Sequence, residues 1–487
     1  MRSGLFHDDG VISEDFLKIM IHREFYPPVS VVINTDARVK SLTTCLESLR
    51  YLRYPNFEVV VVAGPTRDGT HELCDSYGSV IRYAQCPIRN LSLSRNIGIA
   101  NSAGEFIAFL DDDSVPEPEW LSDLIPMFID GDVAVAGGFL HDHTGKGYQW
   151  MYGTLNRFGT PDQSWGRATP EFNFPGSFNY PHVMANSVFR RSAIAELGGF
   201  DEEYEYFLDE SDLILRLVDA GFKVAQVSVG FVHHKYLASD IRDDGGVLTN
   251  WYSLVKNKVY FSILNAGEHA GLYQILLDIG AAIERYRHDA RWAVEVKGLD
   301  PVYMKRFESD VNRALRDGLN RGLAGVRRIW RAEQLRGMGD ILTFKPLLDA
   351  SCQRCFVVLC REYDQKGADS AGADAYQFAA SAATDGHQVH VLTAGQGHDR
   401  VDFEDGVWVH RLCIREFESP LGGAMRKELW NYSRSMFEEA IDIAARRRID
   451  AVFARIGSGE EVAFEGRSEI PPVMHLHEGV RSLHSGY

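Results

Sequence analysis

Residues 109–120 read FLDDDSVPEPEW, and the placement of the three consecutive aspartates decides how the rest of the chain is understood. The run from Phe106 to Leu110 is wholly apolar and fits a strand, which puts Asp111, Asp112 and Asp113 at its carboxyl end. In an open α/β sheet, ligands gather outside the carboxyl ends of the strands. Three carboxylates there offer hard oxygen ligands that a diphosphate could share with a divalent ion. A bare acidic triplet is more often a solvated turn or a helix cap, and carboxylates at a buried strand mouth require something that compensates their charge.

The flanking sequence alternates strand and helix. Upstream come a strand from Val29 to Ile33, a helical stretch from about Lys40 to Leu52, and a strand from Phe57 to Val62. A Gly64-Pro65 turn follows, then Asp68-Gly69-Thr70 opening a short helix, a strand from Val80 to Tyr83, and a helix from Leu91 to Ala103 that stops before Gly104. The alternation predicts parallel strands. Downstream, residues 141–180 are rich in aromatics and glycine, a composition suited to loops lining a cleft, and their pattern does not order the strands. A helix is expected from Asp209 to Ala220, with Asp209 as N-cap and Gly221 just past the end. Residues 250–345 carry Ala, Leu, Arg and Tyr at helical spacing and read as a helical connector. A second α/β pattern begins at Cys355, with strands at Phe356–Cys360, Val389–Thr393, Val407–Arg411, Ala451–Phe453 and Val473–Leu476, and helices at Ala373–Thr384 and Met425–Arg447.

A chain of 487 residues exceeds what one core serves, so several domains are expected. A formal charge of -17 argues against a nucleic-acid partner. A phosphorylated ligand would then need local help from a metal or a few placed arginines. The seven cysteines are odd in number and scattered, which excludes a disulfide scaffold and fits a reducing cytoplasm. Cys352 and Cys355 have metal-like spacing but no second pair nearby, and they read as small buried hydrophobes. The start, MRSGLFHDDG, has acids where a signal peptide would be apolar, and no apolar run approaches the ~20 residues of a membrane span. A protein with no transmembrane segment, at most peripheral to a membrane, is expected.

Residues 198–217, GGFDEEYEYFLDESDLILRL, form a second acidic constellation. Asp212 lies four residues before Arg216 and reads as a helix-face pair. Asp209 and Glu210 open the helix, where a carboxylate can accept a proton from a substrate hydroxyl or simply complement the helix dipole. Residues 232–239, VHHKYLAS, put His233 and His234 at a strand end, where one could join a metal, although such pairs more often pack or cap.

Taken in order, VSVVINTDAR (29–38), SLSRNIGIANSAGEFIAFLDDD (92–113) and ANSVFRRSAIAELGGFDEEYEYFLDESDLILRL (185–217) resemble the motifs of family 2 glycosyltransferases, over residues 28 to about 260. The resemblance implies an α/β GT-A domain that binds a nucleotide sugar on a mixed central sheet, with Mn²⁺ or Mg²⁺ as cofactor. It implies that Asp111 and Asp113 are the DXD carboxylates flanking Asp112, with Asp113 the direct metal ligand and His234 the third protein ligand. Asn34, Thr35, Asp36, Arg38, Gly64 and Asp68 would border the nucleotide, and Arg95 its phosphates or base. Asn186 and Arg190 would face the acceptor, and Glu210 is favoured over its neighbour Asp209 as the base, the family's usual Glu-Asp order being inverted here. Ala63-Gly64-Pro65 replaces an acidic pair that the family commonly carries after its second strand, so UDP, GDP and dTDP donors all stay open. The implied reaction is inverting transfer to a saccharide or glycolipid hydroxyl.

Residues 371–395, AGADAYQFAASAATDGHQVHVLTAG, and 471–479, PPVMHLHEG, resemble the amino-terminal, Rossmann-like half of a family 4 glycosyltransferase of the GT-B fold. That family binds its donor mainly through its carboxyl-terminal half, so this domain is expected to lack donor-binding residues, and His475 and His477 read as structural. The resulting plan is an extension at 1–27, a GT-A domain at 28–262, a connector at 263–350 and an incomplete GT-B half at 351–487. The alternative is a noncatalytic glycan-binding or assembly module that keeps the fold. A nucleotidyltransferase would need a glycine-rich basic signature that Ile33 to Val39 does not offer.

Overall fold

The computed structural model describes residues 26–164, 170–184, 186–239, 241–243, 245–336, 342–347, 353–363, 371–417, 424–455 and 470–475. The chain divides into two compact units, one comprising Met1–Leu42, Tyr54–Leu140 and Gln149–Leu348, the other Thr43–Arg53, His141–Tyr148 and Asp349–Tyr487.

The first unit is built on four parallel strands, β1 (Val29–Thr35), β2 (Phe57–Ala63), β3 (Ile81–Gln85) and β4 (Phe106–Asp111). They form part of a seven-stranded sheet in the order Lys223–Gln226, Val133–Gly137, Val188–Arg190, β4, β1, β2, β3. Val188–Arg190 runs antiparallel to both neighbours, so the sheet is mixed. Strands covered on both faces read as near-continuous apolar runs, and the buried valines and isoleucine of β1 and β2 follow that rule. The buried charged exception is Glu58, whose charge is met by the Ser30 hydroxyl at 2.7 Å, the Ala103 amide at 2.7 Å and Arg82 at 3.0 Å. In the register of β1 against β4, Asn34 stands beside Asp111, so the chemistry collects at one end of the sheet.

Helix Leu91–Ala100 starts at Asn90, whose side chain accepts the Leu93 amide at 2.8 Å. It ends earlier than expected because Asn101 and Ser102 donate from their side chains to the carbonyls of Ile97 and Gly98, both at 2.8 Å, and so compete with further helical turns. Its close seat on the sheet depends on Gly98, where a Cβ would press into Val32. The stretch expected as helix up to Leu52 is α-helical over Val39–Ser48 and tightens into a 3₁₀ turn at Leu49–Tyr51.

The helix bearing Glu210 spans Asp209–Asp219. Its N-cap is Leu208, in the left-handed region at φ 62°, and not Asp209. The Asp209 carboxylate is drawn instead to Arg95, which removes it from capping duty. Gly221 does take the left-handed position past the helix end, at φ 93°. Asp212 and Arg216 pair at 2.8 Å as expected, but Asp212 is fully buried and also pairs with Arg327. Residues 252–336 form helices Tyr252–Ala266, Leu272–Glu295, Val302–Ala324 and Ala332–Arg336, the first three packed through Val255, Val259, Ile275, Ile279, Phe307 and Val311.

The second unit holds a six-stranded sheet in the order Arg400–Glu404, Val407–Leu412, Gln388–Ala394, Cys355–Cys360, Ala451–Arg455, Val473–His475. All neighbours are parallel except the first pair, a hairpin closed at Asp405 (φ 48°) and Gly406 (φ 79°). That hairpin was not expected, although Asp-Gly between apolar runs is its sequence signal. Cys355 is buried, whereas Cys352 and His477 lie outside the described residues. No described helix is long and apolar enough to cross a membrane.

A buried chain of hydrogen bonds crosses this second sheet. Arg447 donates to His390 Nε2 at 3.2 Å, His390 Nδ1 meets His410 Nε2 at 3.0 Å, and His410 Nδ1 meets Glu439 at 2.6 Å. Burial lowers the His410 pKa more than Glu439 raises it. Burial also pushes Glu439 up, but the hydrogen bond and charge of His410, together with the close ion pair to Lys146, outweigh it and hold the carboxyl at about 2.

Two outcomes follow. Gly98→Ala should lose up to about 2 kcal/mol in urea unfolding, because overpacking against Val32 exceeds the helix-propensity gain of about 1 kcal/mol. Acid should weaken the second unit. Below the ordinary histidine value of 6.5 the unfolded chain takes a proton that folded His410 refuses, and the contribution of Glu439 is lost as pH falls from 4.5 towards 2. Intrinsic-rate-corrected hydrogen exchange of the Val407–Leu412 amides should therefore show lower protection at pH 5 than at pH 7, with His410→Gln flattening the difference.

Candidate functional site

Beyond β4 the chain turns through Asp112 and Asp113 and enters a short strand, Ser114–Pro116, which pairs antiparallel with Val232–His234. That pairing sets Ser114 against His234 and returns the His234 ring to the triplet, with Nε2 at 3.1 Å from Asp113 Oδ1 and 3.9 Å from Asp111 Oδ2. Successive strand residues face opposite ways, so His233 points elsewhere and meets Glu117 at 3.1 Å. Strand alternation thus turns to the triplet the histidine that the family resemblance implies, His234.

One ligand atom each from Asp111, Asp113 and His234 lie within 4.8 Å of one another. His234 Nδ1 contacts Gln149 Oε1 at 2.7 Å, which orients the ring and presents Nε2 to the carboxylates. Two carboxylate oxygens and one imidazole nitrogen suit Mn²⁺ or Mg²⁺, so the residues fit the cation that the sequence implies.

Neighbouring carboxylates in the triplet have opposite environments. Burial pushes Asp113 up, but the hydrogen bond and charge of His234, the Arg38 cation and the Leu237 amide at 2.8 Å together hold it at about 2. Asp112 is pushed up to about 7, because burial outweighs Arg38 at 2.9 Å and the like charge of Asp113 adds to it. Arg38 also lies 3.3 Å from Asp113 and donates to the carbonyl oxygens of Leu237 and Ala238 at 3.1 and 2.5 Å. It therefore closes the loop after β1 onto the loop after Val232–His234.

A second charged group sits nearby. Arg95, packed against the rings of Phe200 and Phe109 at 5.2 and 5.8 Å, makes a close ion pair with Asp209 and reaches Glu210 at 3.3 Å. The Asp209 side chain is 1% exposed and that of Glu210 21%, so Glu210 is the carboxylate a substrate can reach. Burial raises the Asp209 pKa against the opposing charge of Arg95, and Glu210 adds to the rise. Close to the triplet lies Tyr206, whose hydroxyl is pushed up to about 12 by burial and then by Asp111, with Arg242, Arg38 and Asp113 also acting on it.

Asn34, Thr35, Asp36 and Gly64 line the carboxyl ends of β1 and β2. Asn34 donates to Ser94 at 2.6 Å, the Thr35 carbonyl accepts the Gly64 amide at 2.8 Å, and Asp36 pairs with Arg89 at 2.7 Å. A Cβ on Gly64 would sit 3.0 Å from Asp36 Cγ, so a larger residue there would have to displace the Asp36 side chain. Three other residues sit differently from expectation. Asp68 spends its carboxylate on the Val39 and Thr70 amides at 2.8 and 3.2 Å and on the Thr66 and Thr70 hydroxyls at 2.9 and 2.7 Å, which makes it a loop brace. Asn186 is buried and donates weakly to Gly138 O at 3.4 Å. Arg190 lies against Phe106, at the start of β4 and so at the far end from Asp111, where it donates to Phe128 O at 2.8 Å and Val133 O at 3.2 Å. The antiparallel run of its strand, which the local pattern did not reveal, sends it there.

The sequence reading missed Gln149, Tyr206 and Arg242. Arg242 is buried, lies over the Tyr236 ring at 3.4 Å and donates to Leu237 O at 2.8 Å. Gln149 and Arg242 stand outside the quoted motifs, and Tyr206, though inside one, is an aromatic with no local signal for the site.

Arg38→Ala should lower the urea stability of the metal-free protein by about 1–3 kcal/mol, below the figure for a fully buried pair because Arg38 keeps 19% exposure. Arg38→Lys should restore only part, since a point charge cannot meet two carboxylates and two carbonyls in one plane.

Residues 30–198 match the sequence model of Glycosyl transferase family 2. Among curated relatives, the chain is similar to a glucosyl-dolichyl phosphate glucuronosyltransferase of Haloferax volcanii, at 26% identity over 195 residues, covering 36% of this chain and 56% of that protein. It is also similar to a pre-mycofactocin glycosyltransferase of Mycobacterium tuberculosis, at 29% identity over 219 residues, covering 44% of each. Among solved structures, S. aureus TarS 1-349 in complex with UDP-GlcNAc aligns with a TM-score of 0.40 and 17% identity, over 61% of this chain and 84% of that one. The chain spans about half the length of the curated relatives it matches, 56% and 44% in these two. Over residues 30–198, from β1 through the acidic triplet to the strand before the Glu210 helix, this chain carries the sequence pattern of Glycosyl transferase family 2.

Proposed function

We propose that this protein transfers a sugar from a UDP-, GDP- or dTDP-linked donor to a hydroxyl of a saccharide or glycolipid acceptor, by inverting displacement, in polysaccharide or glycoconjugate assembly. The observation that carries the reading is the convergence of the Asp111, Asp113 and His234 ligand atoms at the end of β4, with Arg95 and the accessible Glu210 next to them. The family 2 pattern over residues 30–198 supports it.

In this reading, Asp111, Asp113 and His234 hold Mn²⁺ or Mg²⁺, which when bound neutralises the departing diphosphate. Asn34, Thr35, Asp36 and Gly64 border the nucleoside, and Arg38 and Asp112 flank the phosphates. Glu210 takes the proton of the acceptor hydroxyl while its oxygen bonds to the anomeric carbon. The bond from that carbon to the diphosphate breaks, and its electron pair leaves with the nucleotide. Asp209 stays on Arg95 and fixes the guanidinium that also reaches Glu210. Charge builds on both partners only as the reaction proceeds, so these groups stabilise the transition state more than the ground state.

Residues 28–262 would form the transferase domain and 263–350 its helical connector, with 1–27 a preceding extension. The five parallel-paired strands of the second unit support reading 351–487 as the amino-terminal half of a GT-B architecture. A reducing cytoplasm suits the free buried cysteines Cys45, Cys74, Cys86, Cys355 and Cys360.

The test is a panel of UDP-, GDP- and dTDP-hexoses with Mn²⁺, read by thermal shift and product formation. Asp113→Ala should abolish both the Mn²⁺-dependent rise in melting temperature and transfer. Glu210→Gln should keep the rise and lose roughly 10² to 10⁴ in turnover. Sugar binding that survives Asp113→Ala, in a wild type with no turnover, would identify a noncatalytic glycan-binding module instead.

A further inference from the structure

The segment that delivers Asp209 and Glu210 follows a strained path. Glu205, Phe207 and Leu208 have φ of 55°, 66° and 62°, a left-handed conformation unfavourable for any residue with a Cβ and held only where the surroundings over-determine it. The surroundings here are one turn of helix Tyr252–Ala266. Asn257, with no exposed surface, directs Nδ2 to the carbonyl oxygens of Tyr204, Tyr206 and Phe207, the last at 3.1 Å. Two amide hydrogens are thus shared among three carbonyls that converge only because the chain is bent. Lys256, 2% exposed, donates to Glu203 O at 2.6 Å and lies 3.5 Å from the carboxylates of Glu203 and Glu205.

Both ends of the bent segment run into the site. Glu205 O accepts the Leu91 amide at 2.7 Å, at the start of the helix that carries Arg95. Leu208 O accepts the Asp212 amide at 2.9 Å, in the first turn of the helix that carries Asp209 and Glu210. Tyr206, in the middle, lies close enough to Asp111 and Asp113 for their charge to act on its hydroxyl. Freed of its clamp, the segment would relax towards ordinary φ values and carry Glu210 away from Arg95 and the triplet.

We infer that Asn257 is a positioning residue for the reaction, setting Glu210 and Arg95 against Asp111 and Asp113 through the backbone of Tyr204 to Leu208 without touching substrate. This inference rests on the glycosyltransferase reading above and assigns a function to a side chain outside the residues matched by the family.

The experiment uses the full chain and the donor that the wild type consumes fastest in the panel. Asn257→Ala should lower kcat on the order of 10- to 100-fold, the scale of a small misplacement of a reacting group. The donor KM, and the melting shift produced by that donor's nucleoside diphosphate with Mn²⁺, should stay within about twofold, because the triplet is untouched. Adding Leu208→Gly to Asn257→Ala should return about fivefold or more of the lost kcat, since glycine holds the left-handed conformation unaided and repopulates the competent path. Asn257→Ser, which keeps one donor, gives the same comparison if the alanine variant does not fold, and should fall between the two. A kcat that survives Asn257→Ala, or a fall in kcat matched by loss of donor binding and not relieved by Leu208→Gly, would overturn the positioning role while leaving the transferase reading intact. Absence of turnover in the wild type across the panel would reject both.

Discussion

Carboxylates at the mouth of a buried strand repel one another and lose hydration, and the first unit is organised around answering that charge. Asp112 and Asp113 are buried at the end of β4. Their compensation comes from two places far apart in sequence: Arg38, just past β1, and His234, on the strand that pairs back against Ser114–Pro116. Each cation also ties its own loop into place, Arg38 through the carbonyls of Leu237 and Ala238, and His234 through Gln149. Electrostatic need and loop geometry are therefore satisfied by the same contacts.

The same logic separates the two halves of the chemistry. Arg95 serves Asp209 and Glu210 as Arg38 and His234 serve the triplet, and the rings of Phe109 and Phe200 shield its ion pair from water. One group of charges suits a leaving diphosphate, the other a proton acceptor. The strained turn from Glu205 to Leu208 bridges them, and a single buried amide on helix Tyr252–Ala266 holds its carbonyls. The helices that looked like a connector in sequence thus reach into the site through Lys256 and Asn257.

The second unit balances buried polarity differently. Its chain from Arg447 through His390 and His410 to Glu439 has a donor at one end and a carboxylate at the other, which fixes the tautomer of both rings when they are neutral. Such a chain stabilises the sheet at neutral pH and works against it in acid, because extra protons leave donors facing donors.

Local pattern determined a good deal. The apolar runs of β1, β2 and β4, the helix from Leu91, the acidic triplet at a strand end and the Asp209–Asp219 helix are all legible, because their periodicity is written within about ten residues of chain. The triplet and Glu210 also stand out in the sequence as candidate site residues, since polar residues at element ends carry their own signal. What the sequence could not convey is which side chains meet across 100 residues or more. Only strand pairing turned the His234 ring to the triplet and His233 away from it, sent Arg190 to the far end of β4, and brought Arg38 to Asp112. Only the fold turned Asp68 into a loop brace and Asn257 into a clamp for three carbonyls. Periodicity fixes the face on which a side chain lies, whereas the partner it finds there depends on long-range register and on the burial of charge, and both exist only once the chain has closed on itself.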